Sequence, residues 1–357
     1  MKPIALRAIR RAPRIVIWEI TTACNFRCLH CEIAAGARRG DELSTDEALS
    51  VCDALADLGC EQCNVSGGEP LLRRDWPQIC ERLAAHKIRV SLISNGSLVD
   101  AHLVRRAADH GVSGFALSLD GLRTTHDRVR VWHGGDSAFD AVVAAAREVK
   151  QAKLALATIT HISRWNLDQL AGLHALLREL DADMWQVQLG LPLGRLRDIE
   201  TPYMIQPTQL PELAQLLTKL IQSGPRPLIR VTDTIGYYTT CEPILRGGVD
   251  RVWTGCYAGV LTLGIESNGD VKGCSCLPRE FVAGNLRQRP LAEIWADESR
   301  FAYNTDWQEK SLTGACAACP YRRVCRAGCT CLAYSVTGSI YENPYCLHRV
   351  LNMRASS

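Results

Sequence analysis

Three cysteines stand together near the start of the chain, Cys24, Cys28 and Cys31, in the stretch TTACNFRCLHC at spacing C-x3-C-x2-C. Thiolates are soft ligands that select iron–sulfur clusters or zinc. Most such centres want four ligands, and the local sequence offers three. A four-iron cluster held by three cysteines leaves one iron open to a ligand that is not protein. A structural zinc would instead need a remote fourth donor, such as His30 or Cys63. Spacing alone leaves both readings open.

Further groups able to do chemistry follow. In SGGEP (66–70), Gly67 and Gly68 let backbone approach a ligand closely because no Cβ intervenes, and Glu69 supplies an acceptor for an ammonium group. In ISNGS (93–97), Ser94 and Asn95 suit ribose hydroxyls, and SLDG (118–121) offers Ser118 and Asp120. Without a ligand, each is an ordinary turn or capping residue. Gln188 could face the same cavity, and Arg130 and Arg195 are candidate partners for a carboxylate.

The elements that must position these groups repeat one rhythm from residue 14 to about 230. Apolar, β-branched runs at 14–20, 63–66, 89–94, 114–119, 154–160 and 184–190 read as strands. Helical periodicity fills 45–58, 74–86, 100–110, 137–151 and 166–180. Ser44, with Glu47 three residues on, reads as a capping box. Six strands alternating with helices imply an α/β fold with a parallel sheet and right-handed crossovers. The sheet is either an open layer or a curved partial barrel, with ligands at the C-terminal strand ends. SGGEP, ISNGS and SLDG each end a strand, and the cysteine triplet follows the first.

After about residue 230 the rhythm stops. Residues 261–274 read as a hairpin with Asn268-Gly269 at its turn. The rest is loop-rich, and ten of the 17 cysteines fall between Cys241 and Cys346. A segment with little core needs staples, and metal can supply them. The expected division is a basic arm (1–13), a barrel (14–235) and a cysteine-rich domain (236–357).

The triplet behind a first strand, with SGGEP behind the second, resembles the radical SAM superfamily. That resemblance implies a partial (β/α)6 barrel. It implies a [4Fe-4S] cluster on Cys24, Cys28 and Cys31 whose free iron chelates S-adenosylmethionine. Gly67, Gly68 and Glu69 would bind the methionine amine, and Ser94, Asn95, Ser118, Asp120 and Gln188 would surround the cofactor. His30 stands where the family often has an aromatic residue, and would cover the adenine face.

The tail reads Cys256-x12-Gly269-x4-Cys274, then Cys316-x2-Cys319-x5-Cys325-x3-Cys329, then Cys346. This resembles the SPASM domain, which carries two auxiliary four-iron clusters and occurs in peptide-maturase-like members of the superfamily. The resemblance assigns Cys316, Cys319, Cys325 and Cys346 to an outer cluster and Cys256, Cys274 and Cys329 to an inner one. Thr262 stands where the fully ligated form has its fourth inner cysteine. The inner cluster then has an open iron, or Cys276 or Cys241 completes it. Cys276 is favoured, since on a strand it would face the same side as Cys274. Cys331 and Cys276 are also candidate hydrogen donors to a substrate radical.

The expected activity is reductive cleavage of S-adenosylmethionine to a 5′-deoxyadenosyl radical and abstraction of a substrate hydrogen. Three [4Fe-4S] clusters and a flavodoxin- or ferredoxin-type donor are implied. The leading class is oxidative modification of a ribosomally made peptide: a cross-link, a thioether or a dehydrogenation. Asp233, Glu242 and Glu280 are candidate proton acceptors. The alternatives are a redox-neutral epimerase or a dehydrogenase acting on a small molecule such as a sugar, and an iron–sulfur electron carrier that is not an enzyme. About thirteen residues precede the first strand, so leader recognition is expected to use a separate protein or the barrel surface.

Composition bounds the partners. The 357 residues are 47% hydrophobic and 22% charged, with a net charge of +3, which gives no electrostatic case for nucleic acid. No apolar run reaches the ~18 residues of a membrane span, and the basic start lacks the apolar region of a secretory signal. The expected location is the cytoplasm, where so many cysteines point to metal or catalysis rather than disulfides.

Overall fold

The computed structural model describes residues 10–199, 202–248 and 251–355. Seven parallel strands run in sequence order: β1 (Ile15–Glu19), β2 (Gln62–Ser66), β3 (Arg89–Ser94), β4 (Val112–Ser118), β5 (Ala155–Ile162), β6 (Met184–Leu189) and β7 (Leu228–Val231). Helices Thr45–Asp57, Trp76–Ala85, Ala101–Asp109, Ala138–Gln151 and Leu170–Glu179 connect the first six. This is the expected partial barrel, with a seventh strand that the sequence did not suggest. Four residues, two of them exposed, behind Pro225 and Pro227 give β7 little apolar signature.

The other side of β1 pairs, in parallel, with β8 (Thr262–Ile265), Ile15 opposite Thr262 and Trp18 opposite Ile265. β8 turns back antiparallel into β9 (Asp270–Lys272) through Gly269 at φ 89°, and β10 (Gly284–Asn285) pairs with β9. The expected hairpin is therefore present, but it extends the barrel sheet rather than standing apart. Of the expected basic arm, residues 1–9 lie outside the described residues; Arg11 stacks on Trp295, 4.0 Å from the ring centroid, and donates to the Gly259 carbonyl.

Alternation along the strands builds two surfaces. Val16, Trp18, Cys63 and Val65 join one core with Val51, Leu55, Ile79 and Leu83 of the first two helices. Ile17, Glu19 and Ser66, one residue out of phase, face the barrel interior. Ser44 caps the first helix: its Oγ accepts from Glu47 N–H, and Glu47 Oε2 accepts from Ser44 N–H at 2.7 Å. Such a cap contributes about 1 kcal/mol.

Candidate active site at the mouth of the barrel

The loop after β1 is fastened at several points. Cys24 N–H donates to Gly36 O and Gly36 N–H to Thr22 O, both at 2.9 Å. Arg195 Nε donates to Cys28 O and its Nη1 to Ala35 O. Arg195 is thus a clamp on the cysteine loop rather than a free carboxylate partner. The strand-two motif abuts the same loop: a Cβ on Gly67 would lie 2.4 Å from Thr21 O, and one on Gly68 2.3 Å from Ala23 O. Only glycine permits that approach, so the pair joins two loops whether or not a ligand is bound.

The three thiols line one cavity of about 220 Å³ together with His30, Ser118 and Gln188. Cys24 Sγ accepts from Phe26 N–H and Cys31 Sγ from Ala35 N–H, each at 3.3 Å, and Arg130 Nη1 lies 3.8 Å from Cys28 Sγ. These donors suit anionic sulfur. Burial raises the Cys24 thiol and pushes Cys28 up to about 11; a bound cation would reverse that. The donor set therefore fits an iron–sulfur centre. A zinc completed by Cys63 does not fit, because Cys63 is fully buried in the core on the other side of β2. Among the described residues, no three His, Cys, Asp or Glu side chains converge as ligands of a single ion do.

The expected cofactor-binding residues divide. Ser118, Gln188, Gly67, Gly68, Ser94, Asn95 and His30 border the cavity. Glu69 and Asp120 stand behind them, fully buried. Glu69 accepts from Ser94 Oγ, from Asn95 N–H at 2.9 Å and from Leu71 N–H. Burial pushes its carboxyl up to about 7 against those donors. Burial would likewise raise Asp120, but the Arg130 guanidinium beside it holds it well below the usual carboxylate range. His161, which the sequence did not single out, contacts this group: its backbone N–H donates to Asp120 Oδ1, its Nε2 meets the Gln188 amide at 2.8 Å, and its ring lies 4.5 Å from that of His30. Burial keeps both imidazoles neutral. The Nδ1 atoms of His30 and His161 are buried without a hydrogen-bond partner, two polar sites available to a bound group.

A second cavity, of about 580 Å³, shares Glu19, Glu32, Ile33, Glu266 and Ser275 with the first. Its charges interlock: Glu266 pairs with Lys272 at 2.7 Å and Arg39 at 3.1 Å, and Glu19 accepts from Ser267 Oγ at 2.8 Å. Arg197, Arg279 and Glu280 stand at its exposed rim. Of the candidate proton acceptors, Glu242 is consumed by Arg246 and the N–H groups of Tyr237 and Trp253. Asp233 is half exposed, 3.7 Å from Arg246.

In the tail, Cys316, Cys319, Cys325 and Cys346 line one largely apolar cavity of about 580 Å³, walled by Tyr237 and Tyr238. These tyrosines have left-handed φ of 88° and 52°, a strain of order 1–3 kcal/mol each. Glu242, the stack of Tyr238 on Tyr321 at 4.2 Å and the Tyr238 hydroxyl bond to Trp253 O hold them there. Cys256, Cys274, Cys276, Cys329 and Cys331 form a second set: Cys256, Cys329 and Cys331 are buried in one core cluster, and Cys274 and Cys276 pack against it. Thr262 Oγ1 is committed to Gly273 O at 2.9 Å, and Cys241 begins the short helix Glu242–Leu245. β9 ends at Lys272, and Leu277 N–H bonds to Cys274 O. Residues 274–277 are therefore a turn, and the strand alternation that put Cys274 and Cys276 on one side does not apply.

Comparison with known proteins agrees with this geometry. Residues 18–177 match the model of the radical SAM superfamily, and residues 256–320 match SPASM, an iron–sulfur cluster-binding domain. The chain is 30% identical to an AdoMet-dependent heme synthase of Methanosarcina barkeri, over 96% of this chain and 98% of that one. It is 29% identical to the mycofactocin maturase MftC of Mycolicibacterium smegmatis, over 93% and 82%. Among solved structures, Streptococcus suis SuiB bound to S-adenosylmethionine superposes with a TM-score of 0.73 at 16% identity, covering 94% of this chain and 77% of that one. AdoMet-bound anSMEcpe gives 0.72 at 18%, covering 97% and 100%. At these identities the two structures speak for the fold.

Proposed function

Because this chain belongs to the radical SAM superfamily and carries a SPASM iron–sulfur domain, we propose that it oxidises a substrate seated in the charged cavity beside the Cys24–Cys28–Cys31 loop. The bound centre and S-adenosylmethionine would supply a 5′-deoxyadenosyl radical there. Cys24, Cys28 and Cys31 would hold that centre. Ser118 and Gln188, with the free Nδ1 atoms of His30 and His161, would meet the nucleoside. Glu69 and Asp120 would fix Ser94, Asn95 and Arg130 from behind. Two further clusters would sit in the tail, the outer one on Cys316, Cys319, Cys325 and Cys346, making three in all.

The observation that carries oxidation is the shared wall. Glu32, next to Cys31, and Cys276 of the inner set line the same cavity. An electron left on a substrate radical would have an acceptor at that wall. Glu19, which faces both cavities and whose carboxyl is raised by burial, is placed to take the accompanying proton. A ribosomally made peptide is the leading substrate class, in keeping with the relative named a maturase and with the SuiB fold, which was also solved with a precursor peptide. A small carboxylated molecule is the second reading, favoured by the full-length similarity to a heme synthase and by the arginines at the rim.

The test is anaerobic reconstitution followed by reductant and S-adenosylmethionine. The wild-type chain should hold about twelve irons, four per cluster, and form 5′-deoxyadenosine. Changing Cys24, Cys28 and Cys31 to Ala should leave about eight and abolish the nucleoside. A peptide encoded beside the gene should then lose hydrogen, as read by mass spectrometry. An unchanged peptide together with an oxidised carboxylated metabolite would favour the second reading. Absence of nucleoside from the fully loaded wild-type chain would end both.

A further inference from the structure

Five thiols gather at the inner site, where a four-iron cluster takes four. We infer that Cys331, not Thr262, Cys276 or Cys241, closes the inner ligand set, and that Cys276 is left as a free thiol on the wall of the substrate cavity. The inference rests on the proposed two-cluster tail and decides how its inner half is built.

Position separates the two candidates. Cys331 is buried in the same core cluster as Cys256 and Cys329 and stands two residues from Cys329, whereas Cys276 only packs against that cluster from its partly buried edge. Cys331 is 2% exposed and sealed within the tail. It lies in the first turn of helix Thr330–Thr337, with Cys329 at the N-cap. A helix start favours negative charge and so a thiolate ligand. Cys276 sits instead on the turn after β9, half-buried, and lines the cavity with Glu32 and Lys272. Its thiol lies 3.9 Å from Ser275 Oγ, which lines the same cavity. Gly264 fixes that turn against β8: a Cβ there would lie 2.5 Å from Ser275 N. Turning Cys276 inward would require the turn to leave the sheet.

The holoenzyme tests this without a substrate. Iron is counted in reconstituted wild type, Cys331→Ala, Cys276→Ala and Cys256→Ala. Native anaerobic alkylation with iodoacetamide is mapped on the wild-type chain by mass spectrometry. The expected result is loss of about four irons from Cys331→Ala and Cys256→Ala, a full load in Cys276→Ala, and alkylation at Cys276 with Cys331 protected. Loss of iron from Cys276→Ala with Cys331→Ala unchanged overturns the assignment. So does unchanged iron in both while Cys256→Ala loses a cluster, since the inner iron would then be open. If Cys256→Ala also keeps every iron, there is no inner cluster, and the two-cluster reading falls with the assignment. Should Cys331→Ala fail to fold, the alkylation pattern decides: Cys276 protected and Cys331 modified overturns it.

Discussion

The two cysteine sets of the tail are built differently. At the outer set four thiols face a cavity held open by other residues: the left-handed pair Tyr237 and Tyr238, the Tyr238–Tyr321 stack and the Glu242 carboxylate. At the inner set five thiols crowd together, beside a threonine whose hydroxyl is already spent on backbone. Where four thiols line one cavity and the scaffold keeps the space, spacing alone picks out the group. Where thiols exceed ligands, the choice turns on what each one faces, and that depends on a turn and a helix start.

This contrast can be broken. The largest effect should come from Cys325→Ala, which removes one of the four thiols of the outer cavity and leaves no spare in its lining. About four irons should be lost, and limited proteolysis should cut the loops around residues 306–346 faster than in wild type. Equal resistance would mean that the cavity does not depend on its cluster.

Next comes Gly328→Ala. Its φ is +74°, and an added Cβ would lie 2.7 Å from the Tyr237 ring. Crowding should cost about 1–3 kcal/mol, with ~1 kcal/mol more for the left-handed backbone, read from denaturant unfolding. Because Tyr237 walls the outer cavity while its hydroxyl accepts from Cys329 N–H at 3.0 Å, both centres should change in electron paramagnetic resonance. A change in one alone would show the sites to be mechanically independent.

The smallest effect is expected from Tyr237→Phe. It removes only the hydroxyl, which accepts from Cys329 N–H and donates to Asp233 O. The loss should be about 1–2 kcal/mol, with the outer centre unaltered and the inner one perturbed. An inner centre identical to wild type would show that this hydrogen bond does not position Cys329.

Much of this was legible beforehand, for identifiable reasons. The barrel strands announced themselves because apolar β-branched runs alternate with helical periodicity, and Ser44 and Glu47 formed the capping box their spacing suggested. Cysteine spacing survives any fold, so the gathering of the triplet in one cavity and of the outer four in another could be read directly. Four things could not. β7 is short and half exposed. The pairing of β1 with β8 is a choice of partner that no local pattern encodes. The alternation argument for Cys276 took a turn for a strand. His161 and Glu19 carry no spacing signature, although a charged residue ending the apolar run of β1, on its inward-facing phase, was a usable signal for Glu19.

The pairing of β1 with β8 has a consequence for biosynthesis. β1 leaves the ribosome well before one of its two neighbours, which is encoded some 250 residues later. Until residue 265 emerges, that side of β1 is an unpaired edge in an otherwise assembled sheet, open to pairing with another chain. Contacts this distant in sequence form slowly. A nascent chain stalled within the tail should therefore carry a nearly complete barrel with a sticky flank, and premature termination there should yield aggregates rather than a soluble barrel.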